Sequence, residues 1–121
     1  MKEPIQTHKA PKAIGAYSQA IKSGDFLFIS GQIPLNPETM EIEASTFEDS
    51  AYRVISNLES ICIEAGVSLD DIVKLNIYLS DLGNFESLNK IMEEKFTRPF
   101  PARATMEVSR LPRDVMIEMD A

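Results

Sequence analysis

The chain of 121 residues has few of the side chains on which most catalytic sites depend: one histidine, one cysteine and no tryptophan. A single cysteine cannot form an internal disulfide, and zinc or iron sites need clusters of histidine and cysteine. The lone His8 lies in a proline-containing N-terminal segment, so a Ser-His-Asp arrangement is not expected. Glycine-rich phosphate loops of the standard spacings are also missing. We therefore expect neither a metal site nor histidine-based catalysis.

Positive charge and long apolar runs are scarce as well. Lys and Arg together number 12 against 19 Asp and Glu, which gives a formal net charge of -7. Such a surface repels phosphate backbones, so nucleic acid is not an expected partner. No apolar run approaches the roughly 20 residues that cross a bilayer, and the first residues are polar. We expect one soluble, cytoplasmic domain over residues 1–121, without a membrane partner.

Two amphipathic helices are the clearest elements that the sequence predicts. Apolar residues recur at spacings of three and four over 46–65 and again over 85–96. Ser45 with Glu48 fits a capping box at the start of the first helix. Asn84 is placed to cap the second helix.

Short strands account for most of the remaining chain. Their predicted positions are a hairpin over 17–30, an alternating strand over 71–80, two strands near 103–109 and 115–120, and an optional strand within 31–43. The first 16 residues are interpreted as an irregular arm. The order β-β-(β)-α-β-α-β-β predicts an α+β two-layer sandwich, in which two helices cover one face of a mixed sheet of five or six strands.

The predicted strand within 25–30 is apolar on both of its faces. Phe26 and Phe28 alternate with Leu27 and Ile29. Because two helices can cover only one face of the sheet, the other face needs cover from elsewhere. A second copy of the chain is the simplest source of that cover.

Two charged residues near the end of the chain are the main candidates for function. Arg103 opens a strand, and its planar guanidinium can grip a small carboxylate through two parallel hydrogen bonds. Glu118 lies inside the following strand, where a carboxylate can handle a water or a proton. Each also has an ordinary interpretation, as a solvated strand end or a solvated sheet face. On pattern alone Tyr17 and Asn89 are structural, and Cys62 fits a small core residue.

Three separated motifs, in a fixed order, carry a family resemblance. They are APKAIGAYSQA at 10–20, SGQIP at 30–34, and FPAR at 100–103 followed by Glu107-Val108 and Leu111-Pro112. With these motifs the chain resembles the reactive intermediate deaminase family (RidA, also called YjgF/YER057c/UK114). The likeness runs over nearly the whole length of the sequence.

The resemblance implies a chorismate-mutase-like fold, a homotrimer and ligand sites in the clefts between adjacent subunits. The better-known members hydrolyse 2-imino acids, which form from enamines such as 2-aminoacrylate, to 2-keto acids and ammonia, and they need no cofactor. The resemblance therefore predicts a 2-iminobutanoate/2-iminopropanoate deaminase-type hydrolase. Its expected partners are small 2-imino and 2-keto carboxylic acids and other copies of the chain.

The same resemblance assigns roles to individual residues. Arg103 is similar to the arginine that grips the substrate carboxylate, and Glu118 to the acid that positions the attacking water. The remaining residues of the implied cleft are Tyr17, Ser30, Gly31, Asn89 and Thr105. Thr105 stands where many members of the family carry a cysteine.

Two other functions stay open from the sequence. A non-catalytic small-molecule-binding trimer, regulatory or chaperone-like, would use the same cleft, and Thr105 and the short segment 97–100 favour it. A ribonuclease or translation inhibitor is also associated with the family. The acidic net charge and the lack of a catalytic histidine argue against that third function.

Overall fold

The computed structural model describes all 121 residues and contains six strands and two α-helices in the order β-β-β-α-β-α-β-β. The elements are β1 (Glu3–Ile5), β2 (Ala20–Ser23), β3 (Phe26–Ile29), α1 (Phe47–Glu64), β4 (Lys74–Leu79), α2 (Phe85–Lys95), β5 (Ala102–Glu107) and β6 (Ile117–Asp120). Neither helix has the length and apolar character that a membrane crossing requires.

The six strands form one mixed sheet from two three-stranded halves. β1, β2 and β3 are antiparallel neighbours, while β4 pairs in parallel with β5 and antiparallel with β6. Backbone bonds join the halves: Ile29 N–H donates to Ala121 O at 2.8 Å, and Gln32 N–H donates to Met119 O at 2.7 Å. The strand order is therefore β1-β2-β3-β6-β4-β5. This sheet and its two helices confirm the predicted chorismate-mutase-like α+β sandwich.

A β-bulge lies at the junction of the two halves. Ile29 pairs with Ala121 and Gln32 pairs with Met119, so Ser30 and Gly31 together oppose the single residue Asp120. An extra residue in one strand bends it and changes the direction of its side chains.

The helices cover one face of the sheet and enclose its core. Alternate residues of the central strands face α1 and α2, and the buried cluster of 20 residues includes Val54, Leu58, Ile61, Leu75, Ile77, Leu79, Leu88, Ile117 and Met119. Cys62 belongs to this cluster, and burial raises the pKa of its thiol to about 11. It is the small core residue that its place on the helix predicted.

The opposite face of the sheet, called here the open face, has no helix over it. Phe26 and Phe28 of β3 are 64% and 60% exposed on it. The single chain therefore leaves this apolar surface uncovered, as the sequence predicted. Farther along the same face, Asn76 Nδ2 donates to Asp120 Oδ1 at 2.7 Å, and Tyr78 OH donates to Asp120 Oδ2 at 3.0 Å.

Several predicted details were wrong. The first-helix cap is Thr46, whose Oγ1 accepts from Asp49 N–H at 3.1 Å, and not the Ser45–Glu48 pair. Asn84 stands at the start of α2 but makes no side-chain capping bond.

The strand predictions also missed at two places. The segment interpreted as an irregular arm contains β1, and the optional strand within 31–43 is reduced to isolated bridges at Gln32 and between Leu35 and Ile42. Tertiary pairing, which local pattern does not reveal, decides both.

One buried side chain fastens the N-terminal arm to the sheet. Gln19, 3% exposed, accepts from Thr7 N–H at 2.7 Å through its Oε1. Its Nε2 donates to the carbonyl oxygens of Thr7, Ala10 and Pro11 at 3.0, 3.2 and 2.8 Å. The course of the arm from 7 to 11 therefore depends on Gln19.

We expect Gln19→Leu to lower the free energy of unfolding by about 2–4 kcal/mol, because buried backbone groups of the arm lose their partner. Urea unfolding at one fixed protein concentration measures the loss, and proteolysis should cut the arm faster. Gln6→Leu makes the same change at an exposed position of the arm and should stay within about 0.5 kcal/mol of wild type. Equal stability of the two variants would contradict the role of Gln19.

Candidate functional site

Arg103 is held in place by two residues of α2. Its Nη2 donates to Asn89 Oδ1 at 2.7 Å, and its Cζ lies 5.4 Å from the centroid of the Phe85 ring. Phe85 and Asn89 are four residues apart and so share one face of the helix. The stacking and the hydrogen bond orient the guanidinium and leave most of its five donors free for an anion.

Thr105 lies two residues farther along β5, on the same face as Arg103. Its Oγ1 is buried and has no hydrogen-bond partner in the chain. Buried hydroxyl groups normally have a partner, so this one can serve a bound molecule. We call Phe85, Asn89, Arg103 and Thr105 the arginine half-site.

A second group of predicted residues lines a cleft of about 420 Å³. The cleft lies between the N-terminal arm, the bulge and the turn before β6, and its walls include Tyr17, Ser30, Gly31 and Glu118. We call these four residues the glutamate half-site.

Gly31 is required by the position of Glu118. A Cβ atom added to Gly31 would overlap Glu118 Oε2. The absence of a side chain at this point of the bulge therefore lets the carboxyl group lie directly against the backbone.

Glu118 and Asp120 share the open face of β6 but differ in their surroundings. Glu118 is half-buried and accepts no hydrogen bond within the chain, whereas Asp120 accepts from Asn76 and Tyr78. Burial, and then the charge of Asp120, raise the pKa of the Glu118 carboxyl above its ordinary value. Glu118 is consequently the better placed of the two acids to exchange a proton with a ligand.

The other two residues of the glutamate half-site are polar and accessible. Ser30 Oγ donates to Ser18 O at 2.6 Å, which leaves the hydroxyl oxygen able to accept a bond. Tyr17 is 51% exposed, and its hydroxyl oxygen accepts from Ile14 N–H at 3.4 Å.

The two half-sites lie on opposite faces of the sheet. Arg103 pairs with Leu75, which is buried beneath the helices, whereas Glu118 pairs with Tyr78, whose side chain is on the open face. Because side chains alternate along a strand, Leu75 and Tyr78 point in opposite directions, and so do Arg103 and Glu118. A single chain therefore does not bring the predicted arginine and acid into one cavity.

The structure adds residues that the sequence did not single out. Phe85 is one of the apolar residues of the second predicted helix, over 85–96, and its spacing of four residues from Asn89 was a usable signal. Lys12 and Arg113 line the cleft beside Glu118, yet in sequence they are scattered basic residues. His8 is exposed and does not line the cleft. No group of three or more His, Cys, Asp or Glu could hold a metal ion.

Known proteins resemble this chain over almost its full length. The family model described as Endoribonuclease L-PSP matches residues 7–121. A RutC family protein of Pyrococcus abyssi is 53% identical over 120 residues, covering 99% of this chain and 94% of that protein. The crystal structure of RidA from an Antarctic Psychrobacter superposes with a TM-score of 0.94 at 44% identity, covering 98% of this chain and 95% of that one.

A third relative carries information about a ligand. Escherichia coli TdcF, provisionally named a reactive intermediate deaminase, is 39% identical over 124 residues, covering 100% of this chain and 95% of that protein. Its crystal structure with bound serine gives a TM-score of 0.91 at 38% identity and covers 99% of this chain and 96% of that one.

We expect Gly31→Ala to turn the Glu118 carboxyl group away from the bulge, because the added methyl group takes its place. The free energy of unfolding should change by less than about 1 kcal/mol, since the flexible end of a side chain can move. A crystal structure of the variant checks the position of Glu118.

Gly15→Ala is the matched control for that change. Its new Cβ would lie 3.4 Å from the Tyr17 ring, an ordinary contact, and Glu118 should not move. An unmoved Glu118 carboxyl in Gly31→Ala would contradict the steric relation described above.

Proposed function

The chain belongs to the Endoribonuclease L-PSP family, together with the RidA and RutC proteins that it resembles, and we propose that it hydrolyses reactive 2-imino acids to 2-keto acids and ammonia. The observation that carries this proposal is the geometry of Arg103. A guanidinium that is held by Asn89 and Phe85, with donors to spare, is built to grip a small carboxylate. The serine bound to the related TdcF is a small molecule of this kind.

We further propose that the active protein is a homotrimer whose clefts combine the arginine half-site of one protomer with the glutamate half-site of the next. Opposite faces of one sheet cannot meet, but faces of adjacent copies can. The exposed Phe26 and Phe28 on the open face support such an assembly, because they need apolar cover.

Binding would fix the substrate at both ends of the reacting group. Arg103 holds the carboxylate through two hydrogen bonds, and the orphaned Thr105 hydroxyl can bond to the same group. The imine carbon then lies beside a water that Glu118 orients. Because the free imine already reacts with water, this positioning supplies much of the rate enhancement.

The chemical steps need no group beyond these. The water oxygen forms a bond to the carbon of the protonated imine, the C=N π electrons move to nitrogen and give a neutral amine, and Glu118 takes a proton from the water. The protonated Glu118 then gives that proton to the amine of the carbinolamine. The C–N bond breaks, ammonia leaves with the bonding electrons, and the remaining hydroxyl gives its proton to the Glu118 carboxylate as the C=O bond forms. The raised pKa of Glu118 suits a group that both accepts and returns a proton.

A non-catalytic ligand-binding trimer is the second candidate. It would use the same clefts, and the TdcF structure favours it because it holds serine, which is not an imine. The family resemblance also places Thr105 where many members carry a cysteine. We do not propose the nuclease activity in the family's description, because the chain has a net charge of -7 and His8 lies outside the cleft.

The deaminase proposal predicts faster release of ammonia and pyruvate from 2-aminoacrylate than buffer gives. A pyridoxal-phosphate lyase acting on serine supplies the enamine, and both products are measured with and without the protein. Arg103→Ala should lower kcat/KM roughly 100-fold, because the carboxylate loses its fixed partner. The kcat/KM of Arg103→Lys should lie between those of wild type and Arg103→Ala, since an ammonium keeps the charge but lacks the planar fork.

Arg110→Ala is the control, since its guanidinium is exposed and bonds only to Asp114. It should retain wild-type activity. Wild type no faster than buffer would overturn the enzyme proposal, and binding of serine without turnover would then favour the second candidate.

The shared cleft predicts that two inactive variants restore each other. Arg103→Ala and Glu118→Gln should each be nearly inactive alone. When equal amounts are refolded together, about a quarter of the clefts receive an intact arginine from one chain and an intact acid from its neighbour. Activity should recover to about that fraction of wild type.

Mass spectrometry of the mixed assembly shows whether both chains are present. If mixed trimers form but activity does not recover, Arg103 and Glu118 act within one chain, and the shared cleft is contradicted. A stable monomer in light scattering would contradict the trimer itself.

A further inference from the structure

The cleft of the glutamate half-site carries the opposite charge to the rest of the molecule. The chain has a net charge of -7, yet the cleft is lined by two cations, Lys12 and Arg113, and one acid, Glu118. An anion is therefore favoured there.

Both cations keep N–H donors that make no contact within the chain. Lys12 is exposed and forms no ion pair or hydrogen bond through its ammonium group. Arg113 donates from Nη1 to Met40 O at 3.0 Å and from Nη2 to Glu41 Oε2 at 3.4 Å. The Arg113 side chain stays 45% exposed and has further N–H donors. It can therefore bind a ligand while it keeps its bonds to Met40 and Glu41.

The backbone that carries Arg113 has an unusual conformation. Arg113 and the following Asp114 both have a φ of 56°, in the left-handed region that glycine usually occupies. Strained non-glycine residues of this kind concentrate at ligand sites. A glycine would relieve the strain but would remove the guanidinium from the rim of the cleft.

The proposed reaction leaves both cations without a role when the substrate has one carboxylate. Arg103 of the adjacent protomer binds that carboxylate, and Glu118 acts on the water. We propose that Lys12 and Arg113 bind a second carboxylate, so that the preferred substrates are 2-imino dicarboxylates, the imines of acidic amino acids. This inference rests on the proposed deaminase function and on its shared cleft.

The test compares two imines that differ in the second carboxylate. Amino-acid oxidases make 2-iminosuccinate from aspartate and 2-iminopropanoate from alanine, and ammonia release gives kcat/KM for each. Wild type should prefer 2-iminosuccinate. Lys12→Gln should lower that preference about tenfold, with the larger loss of kcat/KM for 2-iminosuccinate, because its second carboxylate loses a charged partner.

Three further variants separate binding from general charge or folding effects. Lys9→Gln makes the same charge change in the same arm but outside the cleft, and it should keep the preference. Lys12→Arg should also keep it, since the positive charge remains. Arg113→Gln should lower the preference, and its unfolding curve shows whether the loop has kept its structure.

The outcomes distinguish this inference from the proposed function. Hydrolysis of neither imine would overturn both. Hydrolysis of 2-iminopropanoate with no preference for 2-iminosuccinate, or equal losses for both imines in Lys12→Gln, would overturn the second-carboxylate site and leave the deaminase proposal standing.

Discussion

The alternation of side chains along β4, β5 and β6 is the constraint on which the rest of the structure depends. Leu75, Ile77 and Leu79 must face the helices, because they form the centre of the core. Strand pairing then sends Arg103 to the helix side and Glu118 to the open face. The need to bury one face thus decides which of the candidate side chains one chain can present together, and it is the physical reason for proposing a cleft shared by two protomers.

Irregular backbone and neighbouring side chains position the residues of each half-site where the regular sheet ends. The bulge at Ser30 and Gly31 provides a bare stretch of backbone for Glu118, and Gln19 holds the arm that forms the opposite wall of the cleft. On the other face, one turn of α2 supplies both the ring and the amide that orient Arg103. Arg103 and Glu118 are therefore each positioned by residues outside their own strands.

Much of the fold could be predicted from the sequence, because it follows from apolar periodicity. The apolar stripe at 46–65 and the alternation at 71–80 predicted α1 and β4. The hairpin predicted over 17–30 is formed by β2 and β3, and Gly24 between them has a φ of 60°. β1 was missed because three residues that include Pro4 carry no periodic signal, and only pairing with β2 makes them a strand. The seven residues named by resemblance divide between the two half-sites. Lys12 and Arg113 had no signal, since only tertiary packing brings the arm and the turn before β6 together.

The contact between Gly31 and Glu118 also limits how this protein can change over evolutionary time. A side chain at residue 31 would displace the carboxyl group of a glutamate at 118, at little cost in stability. Selection that keeps this carboxyl group against the bulge would therefore also keep residue 31 a glycine, although the fold itself tolerates a methyl group there. The two positions, far apart in the gene, are thus expected to vary as a pair.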